Sequence, residues 1–222
     1  MTNTRNQNIS GNFSHIKLYV IISSNLAKKN VLETLEEVIQ GGADAVQLRE
    51  KNMPDGEYFS LAREFKKITT KSKIFFIVND RAEIAREVDA DGLHIGQSDI
   101  TLRTARKIVK NDTIIGISTH TIQQARKAQK EGADYISVGP LFYTKTKDYE
   151  PPVGLNYLEQ VKKEITIPFV AIGSINLGNI MRVVRAGGTR IAVCSAIICS
   201  DNIRQMTSTF KTKLSISTRS HL

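Results

Sequence analysis

Eight short apolar runs rich in Val and Ile alternate along the chain with longer amphipathic segments. Runs of this kind are typical of strands that are buried on both faces of a parallel sheet. We predict strands at residues 17–22, 45–49, 74–79, 92–95, 114–118, 135–138, 169–172 and 190–193. Strand and helix therefore alternate, and this order limits the fold to the α/β class.

The amphipathic segments supply one helix after each predicted strand. The predicted helices cover residues 31–40, 56–70, 82–88, 102–110, 122–130, 157–164, 177–185 and 202–214. Eight strand–helix pairs in 222 residues indicate a single closed (β/α)8 barrel, the TIM barrel. The alternative, an open doubly wound sheet, needs fewer strands or long insertions, and no linker-like segment divides the chain.

A short motif precedes each even-numbered strand and supports the count of eight. The four copies are Gly42-Ala43-Asp44, Ala90-Asp91-Gly92, Gly132-Ala133-Asp134 and Gly187-Gly188-Thr189. Each copy marks the end of a helix, where Gly can take the left-handed conformation that terminates it.

Residues 1–16 and 215–222 are polar, so we predict two tails around a catalytic barrel at residues 17–214. The first tail has no apolar stretch for a secretory signal, and no run approaches the roughly 20 residues of a membrane span. Two cysteines, Cys194 and Cys199, are too few for a disulfide framework or a zinc site. We therefore expect a reduced, cytoplasmic protein that does not contact membranes.

The net charge of +9 is compatible with binding either nucleic acid or small anions. The basic residues fall mostly within predicted helices, where they usually form a solvated outer face. No aromatic residues are interleaved with them for base stacking. We expect no nucleic acid as partner, and the positive field suits anionic small substrates.

Polar clusters follow seven of the eight apolar runs. The carboxyl ends of parallel barrel strands lie on one face, which carries the active site, so these clusters are predicted to converge there. The chain is therefore an enzyme candidate rather than a scaffold.

Asp80 and Asp99 follow the third and fourth strands, and neighbouring strands lie about 4.8 Å apart. Both carboxylates can therefore reach one cation, and two carboxylates with phosphate oxygens and water form a typical Mg²⁺ shell. The alternative is that each Asp caps the helix that follows it. With anion-binding groups at the neighbouring strand ends, we favour the metal site. Asn79 is predicted to bind phosphate or to hold Asp80 in place.

Arg49 and Lys51 end the second strand, where alternation places Gln47 on the same side as Arg49. A guanidinium fork and a point-charge ammonium suit an oligophosphate, whereas the alternative is surface pairing with Glu50 or a helix carboxylate. His120, after the fifth strand, is a candidate acid–base group or a helix cap. His94 lies within a strand and is predicted to belong to the core or the barrel wall.

Gly173-Ser174 and Cys194-Ser195 end strands seven and eight, where barrels often bind a monophosphate through backbone N–H groups. The chain thus offers two anion sites, which predicts two phosphorylated substrates that are joined to each other. The connection at residues 141–156 has no helical or strand period, as is typical of a lid or a binding loop. Its residues Thr144, Lys145, Thr146 and Lys147 predict that it covers an anion.

In this order, the clusters resemble those of the thiamine phosphate synthase family. The resemblance runs from residue 18 to residue 197 and rests on five segments in register. They are Val46-Gln47-Leu48-Arg49-Glu50-Lys51, Val78-Asn79-Asp80-Arg81, residues 91–99, Gly116-Ile117-Ser118-Thr119-His120, and Gly139-Pro140-Leu141-Phe142 followed by Thr144-Lys145-Thr146-Lys147.

The resemblance implies a transferase of thiamine biosynthesis that acts on two phosphorylated small molecules. It would join a hydroxymethylpyrimidine pyrophosphate to a carboxylated thiazole phosphate and release pyrophosphate and CO2. The implied mechanism is dissociative: pyrophosphate leaves first, and the thiazole nitrogen captures the resonance-stabilised pyrimidine cation.

The resemblance also implies roles for individual residues. Asp80 and Asp99 would carry Mg²⁺, and the catalytic residues would be Arg49, Lys51, Lys147 and Ser118. The residues implied for the pyrimidine pyrophosphate are Gln47, Leu48, Arg49, Glu50, Lys51, Asn79, Ser118 and Lys147. Those implied for the thiazole phosphate are Thr144, Lys145, Thr146, Ser174, Cys194 and Ser195.

Ser174 departs from the family pattern, which usually has Gly after Ala-Ile-Gly. A positive φ there would strain a serine, so any cost should fall on thiazole phosphate affinity. The alternative is that Ser174 keeps its N–H contact and adds a hydroxyl to the same phosphate.

Two rival functions remain at this level. The related thiazole tautomerases share the barrel but typically lack the equivalent of Asp99 and the intact Thr-x-Thr-Lys, both of which are present here. A non-catalytic binder of thiamine intermediates or of nucleic acid is the other rival, and the intact metal ligands argue against it. The sequence leaves the oligomeric state open, and a homo-oligomer is compatible with it.

Overall fold

The computed structural model describes residue 13, residues 15–143 and residues 151–219, with side chains up to residue 216. Its strands form a closed, all-parallel barrel in which each strand pairs with its neighbours in sequence and β8 pairs with β1. The strands are β1 (Leu18–Ile22), β2 (Ala45–Leu48), β3 (Phe75–Asn79), β4 (Gly92–Ile95), β5 (Ile114–Thr119), β6 (Tyr135–Val138), β7 (Phe169–Ala171) and β8 (Ile191–Val193). The predicted (β/α)8 barrel is confirmed.

Helices cover the outside of the barrel. They are α1 (Val31–Gln40), α2 (Asp55–Ser72), α3 (Ala82–Glu87), α4 (Leu102–Ile108), α5 (Ile122–Lys130), α6 (Gly154–Glu164), α7 (Ile180–Arg185), α8 (Ser195–Ile198) and α9 (Ile203–Arg219). In the part of the chain that the structure describes, no helix is both long and apolar enough to cross a membrane.

Several helices differ from the sequence-based expectation. The helix α6 begins at Gly154 rather than at residue 157, and α9 ends at Arg219 rather than at residue 214. The helix α7 begins at Ile180 rather than at residue 177, because the Asn176 side chain accepts hydrogen bonds from the backbone N–H groups of Gly178 and Asn179. Such a side-chain turn competes with helix formation. The four-residue α8 was not predicted, since one turn is too short to show a helical period.

The strands divide their side chains between two hydrophobic layers. In β1, Leu18, Val20 and Ile22 pack outward against the helices, whereas Tyr19 and Ile21 point into the barrel. This alternation follows from the two-residue period of a strand. It decides which side chains can reach the barrel interior and the cavity above it.

The floor of the barrel includes part of the predicted N-terminal tail. Phe13 is 1% exposed and stacks on Tyr135, with ring centroids 4.5 Å apart, and meets the ring of Phe75 edge-on at 6.3 Å. Arg190 donates a hydrogen bond to the Phe13 carbonyl at 3.2 Å. The sequence did not indicate this packing, because a single aromatic residue in a polar stretch shows no period. Phe13 and Ile16 lie before the expected domain boundary at residue 16, yet both are buried in the inner hydrophobic layer of the barrel. At the other end, α9 continues past the expected boundary at residue 214.

Three aspartates tie neighbouring strands together at the amino end of the barrel. Asp44 accepts hydrogen bonds from the Lys17 and Leu18 N–H groups at 2.9 Å, before β1 and at its first residue. Asp91 and Asp134 do the same for the second residue of β3 and of β5, at 2.8 and 2.7 Å. We call these contacts the aspartate bridges. They explain the repeated motif, because each Asp precedes an even-numbered strand and binds the start of the odd-numbered strand before it.

Each aspartate bridge also has a cation from a helix. Asp44 pairs with Lys211 of α9, Asp91 with Lys66 of α2, and Asp134 with Arg106 of α4. In the fourth copy of the motif Thr189 stands in place of the Asp. The Lys162 side chain of α6 lies there, so close to Gly187 that an added Cβ would be 2.3 Å from it.

Candidate active site

A cavity of about 160 Å³ opens at the carboxyl ends of the strands. Ten of the residues predicted to bind substrate or metal line it, so the clusters converge as expected for a parallel barrel. They are Gln47, Arg49, Lys51, Asn79, Asp80, Asp99, Ser118, Ser174, Cys194 and Ser195. Alternation along β2 brings Gln47 and Arg49 to the same side, as predicted.

Two other candidates point away from the cavity. Leu48 is fully buried in the outer hydrophobic layer. The Glu50 carboxylate accepts hydrogen bonds from the N–H of Ser24 at 2.5 Å and from its hydroxyl at 2.9 Å, which fixes the loop after β1. The side chains of Leu48 and Glu50 therefore support the wall of the site. The candidates Thr144, Lys145, Thr146 and Lys147 lie outside the described residues.

Asp80 and Asp99 both line the mouth of the cavity, and their carboxyl groups interact with each other. The Lys51 ammonium lies 3.5 Å from Asp80, and the Gly96 N–H donates to Asp99 at 2.7 Å. Neither Asp caps a helix. The N-cap residue of α3 is Arg81, and the N-cap residue of α4 is Thr101. The helix-cap alternative for these aspartates is therefore wrong.

The two carboxyl groups differ in proton affinity. Burial, aided by the hydrogen bond and repulsion from Asp99, raises the pKa of Asp80 to about 6, although Lys51 opposes the shift. Burial also disfavours the charged form of Asp99, but the hydrogen bonds from Asp80 and from the Gly96 N–H outweigh it and lower its pKa. Two neighbouring carboxyl groups repel each other when both are ionised, and a bound cation would offset this repulsion.

The donor set of this pair fits a hard divalent cation. Carboxylate oxygens are the ligands that Mg²⁺ prefers, and Mg²⁺ usually binds through one or two carboxylates, with water and phosphate oxygens completing the shell. Among the described residues, no group of three or more His, Cys, Asp or Glu side chains is placed to hold a metal. The carboxyl pair therefore suits an ion that keeps most of its positions for water or substrate.

Hydrogen bonds join inward-pointing side chains in the barrel interior under the cavity. The Gln47 amide donates to the Tyr19 hydroxyl at 2.6 Å. His94 bonds through one ring nitrogen to the Tyr135 hydroxyl at 2.9 Å and through the other to the Ser118 hydroxyl at 3.0 Å. The prediction that His94 belongs to the barrel wall is confirmed, and it also lines the cavity.

Sequence reasoning missed Tyr19, Tyr135 and Ser137 as site residues. Each occupies an inward position of its strand, and Tyr19 and Ser137 line the cavity. The signal was a polar atom at an inward position of a run that otherwise reads as apolar, once in β1 and twice in β6. His120, the candidate acid–base group, lines the cavity with its ring bonded to the Gly139 carbonyl at 2.5 Å.

The ends of β7 and β8 form the opposite wall of the cavity. Gly173 and Ser174 both have positive φ, 110° and 48°, so the serine occupies the conformation that glycine favours. Burial raises the pKa of Cys194 to about 12, which keeps this side chain a neutral thiol. Ser195 begins the one-turn helix α8.

A barrel with phosphate-suited cations and a carboxyl pair at its carboxyl face belongs to the class of (β/α)8 enzymes. A sequence profile described as "Thiamine monophosphate synthase" matches residues 18–197. A thiamine-phosphate synthase of Halalkalibacterium halodurans is 46% identical over 200 residues, covering 89% of this chain and 95% of the relative. The enzyme of Clostridium novyi is 44% identical over 190 residues, covering 85% and 93%.

A solved structure agrees with these relatives. The thiamine phosphate pyrophosphorylase of Pyrococcus furiosus superposes with a TM-score of 0.84 at 33% identity, covering 97% of this chain and 99% of that one. The chain belongs to the thiamine monophosphate synthase family. It is accordingly a transferase of thiamine biosynthesis that acts on small molecules.

Proposed function

We propose that the enzyme joins a hydroxymethylpyrimidine pyrophosphate to a carboxylated thiazole phosphate, with Mg²⁺ held by Asp80 and Asp99. The observation that carries the proposal is that the Asp80 and Asp99 carboxyl groups lie beside Lys51 in the cavity that Arg49 also lines. Family membership supports the reaction, and the cations suit the leaving group that the reaction requires.

The chemistry begins with departure of pyrophosphate. The bond between the pyrimidine methylene carbon and the pyrophosphate oxygen breaks, and its electron pair stays on the oxygen. Arg49 and Lys51 line the cavity where this negative charge develops. They therefore stabilise the transition state more than the ground state. Mg²⁺ supplies further neutralisation of the leaving group when it is bound.

The pyrimidine half belongs on the floor of the cavity. Gln47 and Asn79 are 2% and 7% exposed, so they offer amide groups in a site largely shielded from water. The Ser118 hydroxyl is held by His94, which fixes its direction. The thiazole nitrogen then donates its lone pair to the methylene carbon, and loss of CO2 returns the electrons of the broken C–C bond to the thiazole ring.

The thiazole phosphate belongs at the ends of β7 and β8. We assign its phosphate to Ser174, Cys194 and Ser195, which line that side of the cavity. Residues Thr144 to Thr146 stay predictions for the same substrate, and Lys147 stays a prediction for the leaving pyrophosphate. We also propose a cytoplasmic location, which both free cysteines, Cys194 and Cys199, support.

The test is synthesis of thiamine phosphate by the purified enzyme from both substrates and Mg²⁺, with the product oxidised to fluorescent thiochrome. We expect product that requires Mg²⁺ and that falls at least about 100-fold in Asp80→Ala and Asp99→Ala. The matched control is Asp201→Ala, which removes an exposed carboxylate that pairs with Lys28.

Three results would contradict the proposal. Full activity after removal of Mg²⁺ would remove the metal from the reaction. No product from a folded protein that binds both substrates would leave the tautomerase as the alternative, and binding of neither substrate would exclude the pyrimidine–thiazole chemistry.

A further inference from the structure

Arg81 follows Asp80 directly, yet its side chain serves the neighbouring loop rather than the cavity. Its Nη2 donates to the backbone carbonyls of Met53 at 2.5 Å and of Glu50 at 3.1 Å, both in the loop between β2 and α2. Its Nη1 lies 3.3 Å from a carboxylate oxygen of Asp55 at the start of α2. The side chain is only 18% exposed. It therefore joins the end of β3 to the loop that follows β2.

Tyr58 of α2 makes a second connection between the same two strand ends. Its ring lies under the guanidinium of Arg81, with 4.2 Å from the guanidinium carbon to the ring centroid. Its buried hydroxyl donates to the Leu48 carbonyl at 2.7 Å and accepts from the Asn79 N–H at 3.3 Å. We call Arg81 and Tyr58 together the clasp.

The clasp spans a point where the strands β2 and β3 separate. The backbone N–H of Arg49 donates to the Ile22 carbonyl of β1 at 2.9 Å. The N–H of Asp80 donates to the His94 carbonyl of β4 at 2.8 Å. The two strand ends thus turn to opposite neighbours, and the clasp joins them across the gap.

The groups proposed for pyrophosphate and Mg²⁺ lie on the two sides of this gap. Arg49 and Lys51 belong to the β2 side and Asp80 to the β3 side, whereas neither clasp residue lines the cavity. We propose that Arg81 and Tyr58 are positioning residues that set the spacing between these cations and the Asp80 carboxylate. The inference rests on the proposed function and concerns only its pyrophosphate half.

The spacing between the β2 side and the β3 side matters because one ligand, pyrophosphate with Mg²⁺, must contact both sides at once. A displacement of about 1 Å in such a site can cost as much as about 100-fold in rate. The contacts described for the clasp lie at β2, β3 and α2, whereas the residues proposed for the thiazole phosphate lie at the ends of β7 and β8. A loosened clasp should therefore affect one substrate and spare the other.

The test uses inorganic pyrophosphate with Mg²⁺ as a binding probe, measured by calorimetry on Arg81→Lys and Tyr58→Phe. Lysine keeps the positive charge but lacks the planar guanidinium, which donates to the loop carbonyls and stacks on the Tyr58 ring at the same time. We expect Arg81→Lys to weaken binding of the probe about tenfold. The KM for the pyrimidine pyrophosphate should rise similarly, and the KM for the thiazole phosphate should stay unchanged. Tyr58→Phe keeps the ring, removes only the hydroxyl, and should shift the same two quantities in the same direction.

The matched control is Arg190→Lys at the opposite end of the barrel. Arg190 also donates to a backbone carbonyl, that of Phe13, and its guanidinium carbon lies 6.0 Å from the Phe13 ring centroid. The same chemical change there should leave binding of the probe unchanged.

The outcomes separate the clasp from the proposed function. Wild-type affinity in both clasp variants would overturn the clasp and leave the function intact. An equal rise in KM for both substrates, together with a lowered unfolding temperature, would mean that Arg81 has only a structural role. That result would also overturn the proposed positioning role of the clasp. A wild-type enzyme that neither binds the probe nor forms product would overturn the proposed function and the clasp together.

Discussion

Two residues of the cavity hold a left-handed backbone conformation without being glycine. Asp80 has a φ of 64° and Ser174 a φ of 48°. Asp tolerates this region better than most residues, and its N–H is fixed by the β4 backbone. Ser has less to offset the strain, since it is exposed at a strand end. Strain of this kind gathers at functional sites when the surrounding structure fixes it.

Ser174→Gly should raise the free energy of unfolding by about 0.5 to 1 kcal/mol, because glycine adopts this φ without steric cost. Urea unfolding measures the change. Ser174→Ala is the matched variant, since it removes the hydroxyl but keeps the Cβ that causes the strain. Equal stability of the two variants would contradict the strain.

The same pair of variants separates the two roles considered for Ser174 in binding. If its hydroxyl contacts phosphate, the KM for the thiazole phosphate rises in both variants. If only the backbone serves, the KM stays constant in Ser174→Ala.

Asp80 makes the stability of the metal-free protein depend on pH. Its pKa is about 6 in the folded state against an ordinary value of 3.8, so the folded state binds the proton more tightly. The resulting stabilisation is complete below about pH 3.8 and is lost as pH rises through about 6. Urea unfolding of wild type and Asp80→Asn, in chelator, should differ in pH dependence over this window in that direction.

Addition of Mg²⁺ is the check on this interpretation. A bound cation favours the ionised carboxyl pair, so Mg²⁺ affinity should fall as pH is lowered below about 6. Parallel pH profiles for wild type and Asp80→Asn, with and without the metal, would contradict the raised pKa.

At the scale of elements, the aspartate bridges add side-chain hydrogen bonds to pairs of strands that are already paired in register. Asp134 is the most buried of the three, with a side chain 9% exposed, and it serves both the Ile115 N–H and Arg106. Asp134→Asn removes the carboxylate charge that pairs with the partly buried Arg106 guanidinium and keeps a side chain of the same size. We expect a loss of about 2 to 3 kcal/mol in the free energy of unfolding.

The control for this substitution is Asp201→Asn, which removes the carboxylate of an exposed ion pair with Lys28. Exposed pairs contribute little, so no measurable change in urea unfolding is expected. A loss at Asp201 as large as the loss at Asp134 would mean that burial does not govern these contacts.

The order of the elements could be predicted because buried parallel strands read as separate apolar runs. The positions of Gln47, Asp80 and Asp99 followed, since the strand ends of a barrel converge whatever the details of packing. The start of α7 could not be predicted, because the side chain of Asn176 competes locally with the helix. The aspartate bridges were visible only as a repeat, since nothing in the sequence says which strand each Asp binds.

At the scale of the molecule, the barrel interior links its floor to its cavity through Tyr135. The Tyr135 ring stacks on Phe13 below and its hydroxyl bonds to His94 above. Room for the ring comes from Gly116, where an added Cβ would lie 2.0 Å from a ring atom. Such contacts across the barrel were not predictable, because alternation tells which residues point inward but not which of them meet.

Gly116→Ala should therefore cost about 3 kcal/mol or more in the free energy of unfolding, since the interior cannot expand around the ring. Displacement of Tyr135 also releases His94 and Ser118, so the KM for the pyrimidine substrate should rise. Gly56→Ala is the control, because no atom lies within 4 Å of its added Cβ and alanine favours a helix. Wild-type stability in Gly116→Ala would contradict this prediction, because it would mean that the Tyr135 ring can move without cost.

The cations of the aspartate bridges carry a consequence for the architecture as a whole. Lys66 and Arg106 each lie on the helix that comes just before the odd-numbered strand of their pair. Lys211 has the equivalent position if α9 is taken as the helix before β1, which is the order of the elements around the closed barrel. With Lys162 in the corresponding place, the four two-strand units stand in one cyclic arrangement. For these contacts, the point at which the ring is cut into a linear chain is arbitrary.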